Sequence, residues 1–332
     1  MADDERPIAV LVDREGLGDA MLKVPFLRAV RRAFPDRPVW WIATHQTAME
    51  DELRPLFADD IAHVIAHAGL KGAPAEVLPR LRALPAFARV FDSRTQLSAV
   101  RLARQALRCD GFYCCLPGFL LCDGTLPFLH GRPRNVADRM LALIRPATGD
   151  PPDPSGWLEP SPAAREAAQG FLPDGQTYVG IAPGSREAIK NWPLERFLEV
   201  ARALIAQGLT PVFRLGPMET DIRQRVESGA PGALISVADL EASPGQALDQ
   251  LIAQAKRFSL LLANDNGVGH LVGGAGTPVI SLFGPTDSRR WAPYAPDRRI
   301  LRAQDFGGRE MSAIPTSAAV AAVGEMLRRG VA

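Results

Sequence analysis

Asn264-Asp265-Asn266-Gly267-Val268-Gly269-His270, continuing through Leu271-Val272-Gly273-Gly274-Ala275-Gly276-Thr277-Pro278 to Val279-Ile280-Ser281-Leu282-Phe283-Gly284-Pro285-Thr286-Asp287, is the stretch whose reading decides the fold. It reads as strand, polar Gly-rich turn, short helix of small residues, strand, and a second loop bounded by Gly and Pro. The two loops are adjacent and can converge on one ligand. The N–H groups of Gly267, Val268 and Gly269 open the helix with no side chain in the way, and unpaired N–H groups at a helix start attract an anion such as phosphate. Asp265, just before them, is placed for sugar hydroxyls. Standing alone, the same pattern also describes a tight turn that packs two layers together.

Working outward, the chain alternates in the same manner. Ile8–Val12 is a short apolar run ending at a polar Gly turn, and residues 19–33 carry apolar residues at helical spacing. Residues 39–43, 61–66, 89–92 and 111–116 repeat the strand pattern, with helix-compatible stretches at 46–57, 73–84 and 96–107. Residues 146–162 are Pro-rich, with Pro151, Pro152, Pro154 and Pro160 between the ends, a composition that interrupts regular structure and marks a domain boundary. Beyond it, strands are expected at 178–182, 210–215, 233–237, 260–264 and 279–282, and helices at 194–207, 220–227 and 317–329. Strands alternating with helices predict two α/β domains with parallel sheets covered on both faces, a class that binds ligands at the carboxyl ends of its strands.

Composition agrees with this class. The 332 residues suit two domains, and 47% hydrophobic with 23% charged residues is the balance of an ordinary globular chain. A formal charge of +1 argues against a nucleic-acid binder driven by a basic field. The acidic start Met1–Pro7 lacks the form of a signal peptide, and no apolar run reaches the ~18 residues of a membrane span, so a cytoplasmic setting is expected. Cys109, Cys114, Cys115 and Cys122 cluster without metal-finger spacing and read as buried strand thiols rather than disulfides. Neither a His-Glu-x-x-His nor an Asp-x-Asp pairing suggests a metal, and His45, His63, His67 and His130 share no ligand spacing.

Three ordered motifs resemble the signatures of glycosyltransferase family 9, the bacterial heptosyltransferases. Asp265, Gly267, His270 and Phe283–Asp287 match the C-terminal one, with Asn266 in place of the usual hydroxyl residue. Gly18-Asp19 followed by Pro25 is similar to the family's Leu-Gly-Asp turn, and Pro183-Gly184-Ser185, Lys190 and Trp192-Pro193 are similar to its central loop. The resemblance implies a GT-B fold, in which two Rossmann-like doubly wound domains face a central cleft. Residues 1–150 would form the acceptor-side domain and 151–315 the nucleotide-sugar domain, with a last helix in 316–332 able to cross back to the first. It also implies an inverting transfer without metal or cofactor, using a nucleoside diphosphate sugar, ADP-heptose by family habit, and a lipopolysaccharide or other cell-envelope glycan acceptor.

Asp19 lies where the first strand gives way to the first helix. The resemblance makes it the base that accepts the proton of the attacking hydroxyl, whereas position alone favours a helix cap; Gly18 precedes it on the acceptor side. Lys190, carried by a loop at a helix start, suits the charge that develops on a leaving diphosphate, with Ser185 and Arg186 as its neighbours. His270 can donate to a phosphate or sugar oxygen. Glu219, after Leu215-Gly216, falls where the family often carries a carboxylate for the nucleoside ribose. With Asp265, Asn266 and Gly267 these residues compose the expected donor site. The acceptor-holding loops, residues 44–50 and 117–134, carry no specific motif. A lipid-linked acceptor would be compatible with peripheral contact at the inner membrane. Two rival readings use the same residues: a sugar-nucleotide epimerase or hydrolase of the GT-B fold, and a degenerate member that binds nucleotide-sugar or a partner without transfer.

Overall fold

The computed structural model describes residues 6–124, 132–216, 219–239 and 241–330; His130 and part of the loop 117–134 lie outside the described residues. Its contacts divide the chain into Met1–Gly156 and Trp157–Ala332, within the Pro-rich stretch.

The first unit runs β1 (Ile8–Val12), α1 (Leu17–Met21), α2 (Val24–Ala33), β2 (Val39–Ala43), β3 (His63–Ile65), α3 (Pro74–Ala83), β4 (Phe87–Asp92), α4 (Leu97–Ala106), β5 (Cys109–Cys114), α5 (Val136–Leu141) and α6 (Ile144–Thr148). Its strands form a parallel sheet of order β3-β2-β1-β4-β5. Every residue of β1 is buried, as expected of a central parallel strand covered on both faces. Ala9, Leu11, Ile42, Val90 and Phe112 pack on Val77 and Leu81 of α3 and on Val100 and Ala103 of α4. From the other face, Phe26 of α2 meets Phe91 edge-on, ring centroids 5.1 Å apart.

The expected helix over 19–33 is two helices. Pro25 lies in the first turn of α2, where its missing N–H costs nothing but would have broken a continuous helix. Nor does 46–57 form an α-helix, holding only a 3-10 turn at Arg54–Leu56. Its start is drawn into an extended bridge between Glu15 and Thr47, and Glu15 N–H donates to Gln46 O at 3.1 Å.

The second unit runs α7 (Pro162–Phe171), β6 (Tyr178–Ala182), α8 (Leu194–Ile205), β7 (Thr210–Leu215), α9 (Thr220–Gly229), β8 (Leu234–Val237), α10 (Pro244–Ala255), β9 (Phe258–Asn264), α11 (Gly267–Gly274), β10 (Val279–Phe283), α12 (Ser288–Trp291), β11 (Arg298–Arg302) and α13 (Thr316–Gly330). Its parallel sheet has the order β11-β10-β9-β6-β7-β8. Phe197 and Ala201 of α8, Val226 of α9 and Ala319, Val323 and Met326 of α13 share one core with Val179, Ile181, Phe213, Leu215, Leu260 and Leu262. The last helix is therefore part of this unit's own core. On the opposite face Tyr178, Val212 and Phe258 pack with Leu172, and Ala164 and Ala168 of α7 meet Ala253 of α10. Strand β11 escapes the sequence reading because Arg298, Arg299 and Arg302 hide its apolar pair; as an edge strand it leaves those side chains partly exposed.

Candidate functional site

The chain order of the second sheet reverses between β6 and β9, neighbouring strands that feed helices on opposite faces. Such a switch point leaves a crevice outside the carboxyl ends of the two strands. The loop 183–193 follows β6 there and the turn Asp265-Asn266 follows β9, so both halves of the expected donor site emerge side by side.

Asn264, the last residue of β9, is buried; its Oδ1 accepts Trp192 N–H at 3.1 Å and its Nδ2 donates to Pro183 O at 2.5 Å. Asn266 is the N-cap of α11. Its Oδ1 accepts Gly269 N–H at 2.9 Å and its Nδ2 donates to Gly184 O at 2.6 Å. Both polar atoms of Asn266 are thus engaged within the protein, and the side chain shapes the loops. Glu219 Oε2 accepts Gly216 N–H at 2.6 Å, and a Cβ at Gly184 would stand 1.9 Å from Glu219 Oε1. Only glycine at 184 allows the carboxylate to lie against that backbone.

Lys190 Nζ stands 2.9 Å from Glu187 Oε1 and 3.7 Å from Asp265 Oδ2. Burial pulls the Lys190 ammonium down, but the Glu187 hydrogen bond and the Asp265 charge outweigh it and leave the group above the ordinary lysine value. Asp265 is largely buried, and its Oδ2 accepts Thr286 Oγ1–H at 2.8 Å. Burial raises its carboxyl above the ordinary aspartate value against the opposing pull of Thr286 and Lys190. A firmly protonated cation, an acceptor-rich carboxylate and the start of α11 therefore share one small region. Gly267 is the first residue of α11, and His270 lies buried in the same helix. Ser185 Oγ–H donates to Glu187 O at 2.8 Å, and Arg186 is exposed.

Asp19 and Gly18 belong to the first unit, at the corresponding end of β1. Asp19 is the third residue of α1, whose N-cap is Gly16, so it does not take the cap position. Among the described residues its half-buried carboxylate makes no hydrogen bond or ion pair. Its backbone is held instead: Lys23 Nζ–H donates to Asp19 O at 3.1 Å and lies 2.5 Å from Glu15 Oε1. Glu15, 2% exposed, also accepts from Trp41 Nε1–H and Thr47 Oγ1–H, each at 2.8 Å.

The sequence motifs include Thr286 without giving it a role, and they leave out Glu187 and the Glu15–Lys23 pair. Thr286 stood in the quoted stretch, in the loop after the neighbouring strand, and that adjacency was the available signal. Among the described residues no group of three His, Cys, Asp or Glu side chains is disposed to share a metal ion.

Residues 130–313 match the family model for glycosyltransferase family 9 (heptosyltransferase). The chain belongs to that family. It is 32% identical over 165 residues to lipopolysaccharide heptosyltransferase 3 of Escherichia coli, a stretch covering 46% of this chain and 48% of the relative; the chain thus matches about half the length of that protein. Over its whole length it resembles the crystal structure of the glycosyl transferase family 9 from Veillonella parvula, with 21% identity, 98% of each chain covered and a TM-score of 0.67. The E. coli ADP-heptose lps heptosyltransferase II structure aligns at 16% identity, with 98% of this chain and 99% of that one covered and a TM-score of 0.65. These likenesses give the chain the GT-B fold.

Proposed function

We propose that this chain is an inverting, metal-independent glycosyltransferase that moves a sugar, heptose foremost, from a nucleoside diphosphate donor to a lipopolysaccharide or other cell-envelope glycan acceptor. The observation that carries the reading is Lys190 beside Asp265 at the start of α11, in a chain of this family. Breaking the bond from the anomeric carbon to the diphosphate places negative charge on the leaving oxygens. Lys190 and the first N–H groups of α11 supply fixed positive potential for it, a role that a metal ion fills elsewhere. Asp265, with Thr286 on one oxygen, keeps acceptor capacity for donor hydroxyls. Asp19, its carboxylate free of internal partners among the described residues, takes the acceptor hydroxyl's proton as that oxygen attacks the opposite face of the anomeric carbon. ADP-heptose is the favoured donor because the E. coli protein of similar fold is described as an ADP-heptose enzyme, and the lipopolysaccharide acceptor follows the E. coli relative. No helix among the described residues is long and apolar enough to cross a membrane; a lipid-linked acceptor would call for peripheral contact at the cytoplasmic face of the inner membrane.

Calorimetric titration with ADP-heptose and with ADP-, GDP- and UDP-linked hexoses tests the reading. Preference for ADP-heptose supports it, preference for another nucleotide sugar reassigns the donor, and binding of none overturns it.

A further inference from the structure

The four cysteines are not equivalent once folded. Cys115 is fully buried against Met140, sulfur to sulfur 3.5 Å, and burial pushes its thiol up to about 12. Cys114 ends β5, and the chain beyond it doubles back so that Cys122 returns to the same point. Cys114 and Cys122 Sγ stand 3.7 Å apart, Cys114 N–H donates to Cys122 Sγ at 3.0 Å, Cys122 Sγ–H donates to Cys114 O at 3.2 Å, and Cys114 Sγ–H donates to Leu120 O at 3.0 Å. The return uses left-handed backbone at Gly118 and at two residues with side chains, Phe119 (φ 55°) and Leu121 (φ 72°). Non-glycine residues hold that conformation at a cost, and such strain gathers at functional positions.

We propose that Cys122 is an oxidation site for hydroperoxides and that Cys114 resolves it to an intramolecular disulfide. The Cys122 sulfur receives the Cys114 N–H, which favours its thiolate; the neighbouring Cys114 thiol and backbone hold the Cys122 thiol below the usual cysteine value, while the Cys122 sulfur and burial hold Cys114 above it. The thiolate attacks one peroxide oxygen: an S–O bond forms, the O–O bond breaks, and the departing alkoxide or hydroxide leaves as alcohol or water once protonated. The Cys114 sulfur then attacks the Cys122 sulfenic acid; the S–S bond forms, the S–O bond breaks, and the hydroxyl leaves with the Cys114 proton as water. Two thiols are oxidised and one hydroperoxide is reduced. Disulfide sulfurs sit about 2.0 Å apart, so closing the 3.7 Å pair requires the two sulfurs to approach. The resulting ring fixes the apolar loop 117–121. The site stands whether or not the chain transfers a sugar.

The test is hydrogen peroxide treatment of the purified full-length protein, followed by alkylation without reductant and tandem mass spectrometry. The expected product lacks two hydrogens, links Cys114 to Cys122 and leaves Cys115 as a thiol. Dithiothreitol reverses it, Cys122→Ser abolishes it, and Cys114→Ser leaves a Cys122 sulfenic acid that dimedone traps. A Cys122 that stays a thiol in the wild-type protein, or a disulfide joining it to Cys109 or to another chain, overturns the proposal. So does a wild-type sulfenic acid that persists without a disulfide. The wild-type mapping decides the matter even if a serine variant fails to fold.

Discussion

The side-chain amide of Asn266 joins Gly184 to α11, donating to the Gly184 carbonyl at 2.6 Å while its oxygen caps the helix at Gly269 N–H. One residue thus couples the loops after β6 and β9, and the departure from the family's hydroxyl residue has a structural consequence. Serine can cap the helix as well as asparagine does but is too short to hold the same bridge. Asn266→Ser should therefore lose about 1 kcal/mol, the net value of one hydrogen bond. Asn266→Ala, which also loses the cap, should lose about 2 kcal/mol. Urea unfolding of the two variants checks the order, and an Asn266→Ser variant as stable as the parent would remove the bridge from the account.

The proposed reaction gives Asp19 and Lys190 different kinetic roles. Asp19→Asn keeps the shape and hydrogen-bonding reach of the side chain but cannot take a proton, so transfer should fall at least about a hundredfold with donor affinity nearly unchanged. Lys190→Ala removes the charge proposed to face both bound donor and leaving group, and should weaken donor binding as well as turnover. Calorimetry paired with single-turnover rates distinguishes them; normal turnover in Asp19→Asn would exclude it as the base.

The raised carboxyl of Asp265 has a definite sign for stability. Its folded value lies above 3.8, its value in an open chain. The folded protein therefore holds this proton more tightly than the unfolded one. The ionised side chain costs stability at neutral pH, and that cost disappears as pH falls through the folded value. Lys190 lessens the cost, so Lys190→Met should push Asp265 further up. Carbon-detected NMR titration of the aspartate carboxyls in both proteins measures this directly, and an unchanged Asp265 midpoint would show that the 3.7 Å pair is not coupled.

Glu15 is buried with Lys23, Trp41 and Thr47 around its carboxylate. Glu15→Ala leaves the Lys23 ammonium buried without its counter-charge, a change that costs about 3–5 kcal/mol. Replacing both, as in Glu15→Leu with Lys23→Met, should recover much of the loss because no charge is then left unmatched. A double-mutant cycle by chemical denaturation checks the coupling, and additive losses would refute it.

The sequence by itself determined the class of the fold and the ends of most strands. Continuous apolar runs such as 8–12 and 178–182 are compatible only with strands buried on both faces, and Pro and Gly mark where they stop. It also supplied the residue types of the donor site, because anion binding at a helix start needs small residues in a fixed local order. Elements shaped by distant partners were not legible. The stretch 46–57 has helical spacing, yet its start is tied to Glu15, 32 positions before Thr47; the charged edge strand 298–302 takes its conformation from Val279–Phe283. The contacts within the candidate site also form only in three dimensions. Asn266 and Gly184 are 82 positions apart, and Asp265 meets Thr286 only because β9 and β10 are paired. Local propensity is written in neighbouring residues, whereas the burial of Asp265, the position of Lys190 and the approach of Cys122 to Cys114 depend on which loops the sheet order places side by side.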